Sequence, residues 1–169
     1  MWDDTLRMAA HPALSPDGKR MVFVSTGGYG GKDLYTIRTD QIGTLKPTNM
    51  GAAINSAGNE MYPSFYDDST LYFASDGHPG LGGLDIFRAK LDTNGEWQVV
   101  NLGSPINSSF DDYGICFSPT PDREHVTEGY FASSRNDRRG YPHLFSFHQN
   151  AVFVTLEGYV ADREGNPIE

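Results

Sequence analysis

Short runs in which apolar and polar or small residues alternate recur along this chain, and they recur in the same order. Leu71, Phe73 and Ser75 alternate with Tyr72 and Ala74, and Met21-Val22-Phe23-Val24-Ser25 is a similar run carrying two valines. Aromatic and β-branched residues in such runs suit a pleated, half-buried strand. No helix of useful length competes. Between the runs lies turn chemistry. In Ser15-Pro16-Asp17-Gly18 the proline fixes φ, the aspartate bonds the backbone two residues on, and the glycine accepts positive φ. Asp67-Asp68-Ser69 does the same less sharply, and Asn94-Gly95 predicts a hairpin turn from a third strand into an outer one, Trp97 to Asn101.

The runs belong to a repeat. His11-Pro12, Tyr62-Pro63 and Tyr113-Gly114 each open a unit, and successive openings are spaced by 51 residues. A second echo sets Met50-Gly51-Ala52-Ala53-Ile54-Asn55-Ser56 against Leu102-Gly103-Ser104-Pro105-Ile106-Asn107-Ser108. A unit of about 40 to 50 residues that reads as four short strands is the mark of a β-propeller, whose blades share a core none could bury alone. The expectation is therefore an all-β chain, a partial β-propeller of about three four-stranded blades. The blades run over about 11–60, 61–111 and 112–149, with an extra C-terminal strand or hairpin over 150–169. A closed ring needs about four to eight blades. The chain is thus expected to be part of a ring, completed by further blades of a longer protein or by a second copy in a six-bladed homodimer.

Composition narrows the partners. The 169 residues carry 22 acidic against 13 basic side chains, a net charge of −9. Such a surface repels phosphate backbones and argues against nucleic acid. The only basic cluster along the sequence is Arg135, Arg138 and Arg139, in a predicted loop. The single cysteine, Cys116, sits in an apolar run beside Phe117 and reads as a small buried thiol without an accompanying base. The first ten residues lack an apolar export core and no 18 apolar residues run together, so no direct membrane insertion is expected.

The most specific local motif links the second and third strands of the first two units. It reads Gly27-Gly28-Tyr29-Gly30-Gly31-Lys32-Asp33 and Gly80-Leu81-Gly82-Gly83-Leu84-Asp85. Gly30, Gly31, Gly82 and Gly83 permit backbone geometry closed to other residues, and Asp33 and Asp85 are placed to accept hydrogen bonds from loop amides. One or two carboxylates per loop fall short of the six to eight oxygens calcium takes. A phosphate cradle is disfavoured because these loops lead into strands, not a helix N-terminus. In the third unit Asn136 to His143 lacks the paired glycines and puts His143 where the aspartate stands. An insertion, Thr120 to Glu128, lengthens that unit's first turn, and such insertions are where repeat folds often touch partners.

Ser-Pro-Asp-Gly, a strand ending Phe-x-Ser, and the Gly-Gly-x-Asp-Leu/Ile-Tyr/Phe close resemble the TolB-type, WD-repeat-like propeller of cell-envelope proteins. The Gly82-Gly83-Leu84-Asp85-Ile86-Phe87 motif and the Leu102 to Ser108 linker are similar to the propeller of Bacteroidetes OmpA-family lipoproteins, some belonging to the type IX secretion apparatus. The resemblance covers residues 1–149. After it, Gly158, Val160, Asp162, Gly165, Pro167 and Ile168 look like the start of a carboxypeptidase-regulatory-like β-sandwich, a closing propeller strand being the alternative. The resemblance implies a periplasmic segment, tied to the outer membrane through other parts of the protein, with cell-envelope proteins as partners.

Catalytic signatures are missing from the sequence. Gly-x-Ser-x-Gly and His-Glu-x-x-His do not occur, the five histidines show no metal-ligand spacing, and the pairs Asp67-Asp68 and Asp111-Asp112 point to opposite strand faces. The chain is expected to be noncatalytic, with no cofactor and no metal. Candidate partner contacts are Tyr29, Arg135, Arg138, Arg139 and Tyr141. A propeller that binds carbohydrate or peptidoglycan fragments is the alternative, with Tyr29 and Tyr141 as loop aromatics; the propeller portion of a hydrolase ranks below both.

Overall fold

The computed structural model describes residues 8–119 and 125–150. These form three antiparallel sheets, each a meander in chain order. The first contains β1 (Ala9–Leu14), β2 (Arg20–Ser25), β3 (Asp33–Arg38) and β4 (Thr48–Asn49). The second contains β5 (Glu60–Asp67), β6 (Thr70–Ser75), β7 (Asp85–Leu91) and β8 (Trp97–Asn101). The third contains β9 (Asp112–Phe117), β10 (His125–Ser133) and β11 (His143–Asn150). Among the described residues a single 3-10 turn, Thr39–Gln41, interrupts the β structure, and no helix is long and apolar enough to cross a membrane.

The expected turns form as their residues dictate. Gly18 sits at φ +69° and its N–H donates to the Ser15 carbonyl at 2.8 Å. At the outer hairpin of the second sheet Gly95 lies at φ +82°, and its N–H donates to Asp92 O at 3.1 Å. Registers agree from sheet to sheet: Ser25 faces Asp33, Ser75 faces Asp85, and Ser133 faces His143.

Strand alternation decides how the sheets stack. Val22, Val24 and Leu34 on one face of the first sheet pack with Leu71, Phe73, Phe87 and Ala89 of the second. The other face of the second sheet, through Ile86 and Tyr72, meets Ile115, Phe131, Phe117, Phe145 and Phe147 of the third. One sheet's second face thus always takes the next sheet's first face. The initial strands β1, β5 and β9 touch in succession along one side.

Three expectations change. Two sheets have four strands, but the third has three among the described residues. The putting of Thr120 to Glu128 into a long turn fails at its end, because His125 to Glu128 extends β10 and pairs with β11; residues 120–124 lie outside the described set. Cys116 is exposed, not buried. It pairs with Tyr130, itself 56% exposed, on the face of the third sheet opposite the Ile115 and Phe131 core. The apolar neighbours that suggested burial point the other way. The strand or sandwich expected over 150–169 lies, from residue 151 onward, outside the described residues.

Candidate functional site

The glycine loops are seams between sheets. Asp33 Oδ2 accepts the Tyr29 N–H at 2.6 Å and its Oδ1 accepts the Gly30 N–H at 3.1 Å. Asp85 does the same for Leu81 at 2.5 Å and Gly82 at 3.2 Å. The paired glycines let the loop lie against the segment that leads into the next sheet. A Cβ on Gly30 would come within 2.3 Å of Gly58 O, and one on Gly82 within 2.2 Å of Phe110 O. Likewise Gly31 and Gly83 face Asn59 Oδ1 and Asp111 Oδ1 at distances no Cβ tolerates. Gly82→Ala is expected to destabilise the chain by roughly 2 kcal/mol or more, since backbone must move. Gly18→Ala, with open space around it and only a left-handed φ to strain, should cost about 1 kcal/mol. Urea midpoints compare the two, and equal losses would refute the seam.

The second sequence echo forms a polar lock behind each loop. Asn55 Oδ1 accepts the Leu34 N–H at 2.8 Å while its Nδ2 donates to Leu34 O at 3.0 Å and Asn49 Oδ1 at 2.8 Å. Asn107 repeats this on Ile86 and Asn101 at 2.8, 2.9 and 2.8 Å. Asn49 and Asn101 then donate to Asp33 and Asp85 at 2.8 and 3.0 Å. A buried carboxylate opens each following sheet. Glu60 accepts from Ser56 Oγ at 2.5 Å and Ser75 Oγ at 2.7 Å, and Asp112 accepts from Ser108 N–H at 2.6 Å and Arg135 Nη2 at 2.5 Å. Every one of these carboxylates accepts hydrogen bonds from donors of the fold on both oxygens.

The residues that open each unit meet in space. The His11 and Tyr62 rings stack at 4.3 Å and the Tyr62 and Tyr113 rings at 4.8 Å. Each sits at an irregularity of its strand pairing, with left-handed φ at His11 (+49°), Tyr62 (+54°) and Gly114 (+67°). Burial, and then the charge of Lys32, lowers the His11 pKa; burial, then Tyr62 and Asp111, raises that of Tyr113. The 51-residue spacing marked these positions without revealing the contact.

The candidate contact residues separate. Tyr29 and Tyr141 are exposed on loops, 59% and 58%. Arg139 stacks over Tyr141 at 4.9 Å and pairs with Asp137 at 3.6 Å, while Arg138 is exposed. Asp137 accepts the Arg139 N–H and bonds His143, and these bonds lower its pKa, supplying in part what the missing loop aspartate provides elsewhere. Arg135 is drawn inward. Besides Asp112 it holds the carbonyls of Pro105 and Ile106 and lies over the Phe131 and Phe145 rings at 5.1 and 5.3 Å. Its guanidinium is committed to the fold.

Two features escaped sequence reasoning. Lys19, Arg20, Arg38 and Lys46 gather around a cleft of about 370 Å³ beside β2, β3 and β4. Asp17 and Asp40 offset Lys19 and Arg38 there, at 3.4 and 2.7 Å. The larger feature is an apolar cleft of about 780 Å³ between the second and third sheets, lined by Tyr72, Leu102, Ile106, Phe117, Phe145 and Phe147 among others. Among the described residues no three His, Cys, Asp or Glu side chains converge as a metal-binding group. No protein-family model matches the chain, and no curated protein matches it.

Proposed function

We propose that the chain is a noncatalytic β-propeller segment that serves as a platform for protein contacts in a periplasmic, outer-membrane-associated protein of the OmpA-family type, with the type IX secretion apparatus as one setting. The observation that carries this reading is the repeated use of the polar side chains. Asp33, Asp85, Glu60 and Asp112, the groups a reaction would recruit, are filled by loop amides, serines, asparagines and Arg135. Face-to-face stacking of successive sheets, with their first strands adjacent, supports radial blades completed by further sheets or a second copy. Envelope location rests on the sequence resemblance. The binding surface then lies on loops and exposed faces, with Tyr29, Arg138, Arg139 and Tyr141 available at loop tips.

Two measurements test the proposal. Fractionation of cells expressing the complete reading frame should place the protein with the outer membrane on its periplasmic side; recovery in the cytoplasm refutes that location. Purified peptidoglycan sacculi should leave the isolated segment in the supernatant. Cosedimentation, reduced by Tyr29→Ala or Tyr141→Ala, would favour the carbohydrate-binding alternative instead.

A further inference from the structure

His11 joins the first two sheets through an atom that titrates. The β5–β6 register is broken between Met61 and Ser64, so it skips Tyr62, and the Tyr62 N–H donates across the junction to His11 Nδ1 at 3.4 Å. The imidazole is therefore neutral there, with its proton on Nε2. The same ring stacks on Tyr62 at 4.3 Å with the two planes 16° apart. The β1–β2 register is broken in turn between Ala10 and Ala13, which leaves His11 outside it. Both residues have left-handed backbone, φ +49° and +54°, a conformation that a bulky side chain holds only where its surroundings impose it. The strand registers skip the two residues, and the stack with its hydrogen bond fixes them instead. At the next junction Tyr62 and Tyr113 stack in the same way, but Tyr62 has no ring nitrogen to offer an amide.

The groups around the imidazole favour its neutral form. Burial and then Lys32, a like charge on the first glycine loop, lower the His11 pKa from the ordinary 6.5. β2 faces β1 on either side of the break with Val24 and Val22. β5 brings the Tyr62 phenol, and β9 brings that of Tyr113, on which Asp111 bears. The carboxylates near the junction bond elsewhere: Glu60 to Ser56 and Ser75, Asp33 to Tyr29, Gly30 and Asn49, and Asp76 to Asn59.

We propose that His11 is an acid-sensitive latch between the first two sheets, closed while its imidazole is neutral and released when Nδ1 takes a proton. The proton comes from solvent and occupies the lone pair that had accepted the Tyr62 N–H. Donor then faces donor, a second positive charge stands near Lys32, and the ring leaves its place against Tyr62. Without the stack the left-handed backbone at His11 and Tyr62 relaxes, which frees β1 from β5 at this point. The core between the sheets, built from Val22, Val24, Leu34, Leu71 and Phe73, does not titrate, so the opening is local. The released form binds one proton more than the closed form. The junction is thus fully held above the ordinary value of 6.5 and is lost as pH falls through the lowered one. The latch belongs to the fold and does not rest on the location or partners proposed above.

The test follows the full chain by NMR from about pH 7.5 to about pH 5, with the His11 ring identified by its contact with the Tyr62 ring. The His11 midpoint should lie below that of an ordinary histidine. Over the same range the Tyr62 amide, corrected for the intrinsic pH dependence of hydrogen exchange, should lose protection about threefold or more, while amides of β2 and β6 keep theirs. His11→Phe keeps an aromatic ring for the stack but has no titrating atom, so its Tyr62 amide should be less protected and unchanged across the range. In Lys32→Met, which spares the ring and its stack, the midpoint and the loss of protection should move up in pH together. One moving without the other overturns the proposal, and this variant decides the matter if His11→Phe does not fold. A midpoint at or above the ordinary value, as a charged ring held on Tyr62 would give, also overturns it. So does constant protection of the Tyr62 amide, or an equal loss in His11→Phe. Failure here leaves the fractionation and sacculus outcomes untouched, and the reverse holds.

Discussion

Replacing Asn107 by alanine is expected to destabilise the chain by about 3 kcal/mol, a fall in melting temperature of roughly 10 °C for a chain of this size. The side chain is 1% exposed and acts as a short piece of strand. Its amide oxygen takes the Ile86 N–H and its amide nitrogen serves both Ile86 O and Asn101 Oδ1. Truncation leaves the Ile86 N–H buried without a partner. Ile86 O keeps the Leu102 N–H at 3.1 Å and Asn101 Oδ1 keeps the Gly103 N–H at 2.7 Å, which limits the loss. Asn55→Ala should act similarly on Leu34, through the matching three bonds. Thermal unfolding followed by circular dichroism checks both. A fall of less than about 2 °C in either variant would mean that the amide lock contributes little.

Arg135→Met should cost still more, about 3 to 5 kcal/mol, because it strands a buried carboxylate. Asp112 is fully buried and its Oδ1 meets Arg135 at 2.5 Å, while the arginine side chain keeps 19% exposure. Methionine retains contact with Phe131 and Phe145 but leaves Asp112 with Ser108 alone. Adding Asp112→Asn removes the stranded charge, so the double variant should be more stable than Arg135→Met by about 1 to 3 kcal/mol. Arg135→Lys should recover only part of the loss, since one ammonium cannot reach Asp112, Ser133, Pro105 and Ile106 together. Denaturant unfolding of the three variants reads these differences. A double variant less stable than Arg135→Met would show that packing, not the buried charge, sets the cost.

The sequence was most informative where structure depends on near neighbours. Ser15-Pro16-Asp17-Gly18 closes its turn with bonds spanning three residues, and Asp33 and Asp85 cap amides three and four positions back. It was least informative about which face of a strand meets which surface. Cys116 and Arg135 show this from opposite sides. An apolar stretch suggested a buried thiol, yet the cysteine faces outward with Tyr130; a loop of three arginines suggested three exposed cations, yet one turns inward to Asp112.

Alternation, turn residues and the 51-residue period were enough to specify antiparallel sheets in succession and to locate most of their strands, though not β4 or the start of β10, since each depends on backbone preferences within a few residues. The stacking of His11 on Tyr62 and Tyr113, the asparagine locks reaching 21 residues back along the chain, and the cleft beside β11 arose only when one sheet was laid on the next. A spacing in sequence names equivalent positions. Their contacts depend on interaxial distance and facing direction, which packing between sheets sets and no local preference encodes.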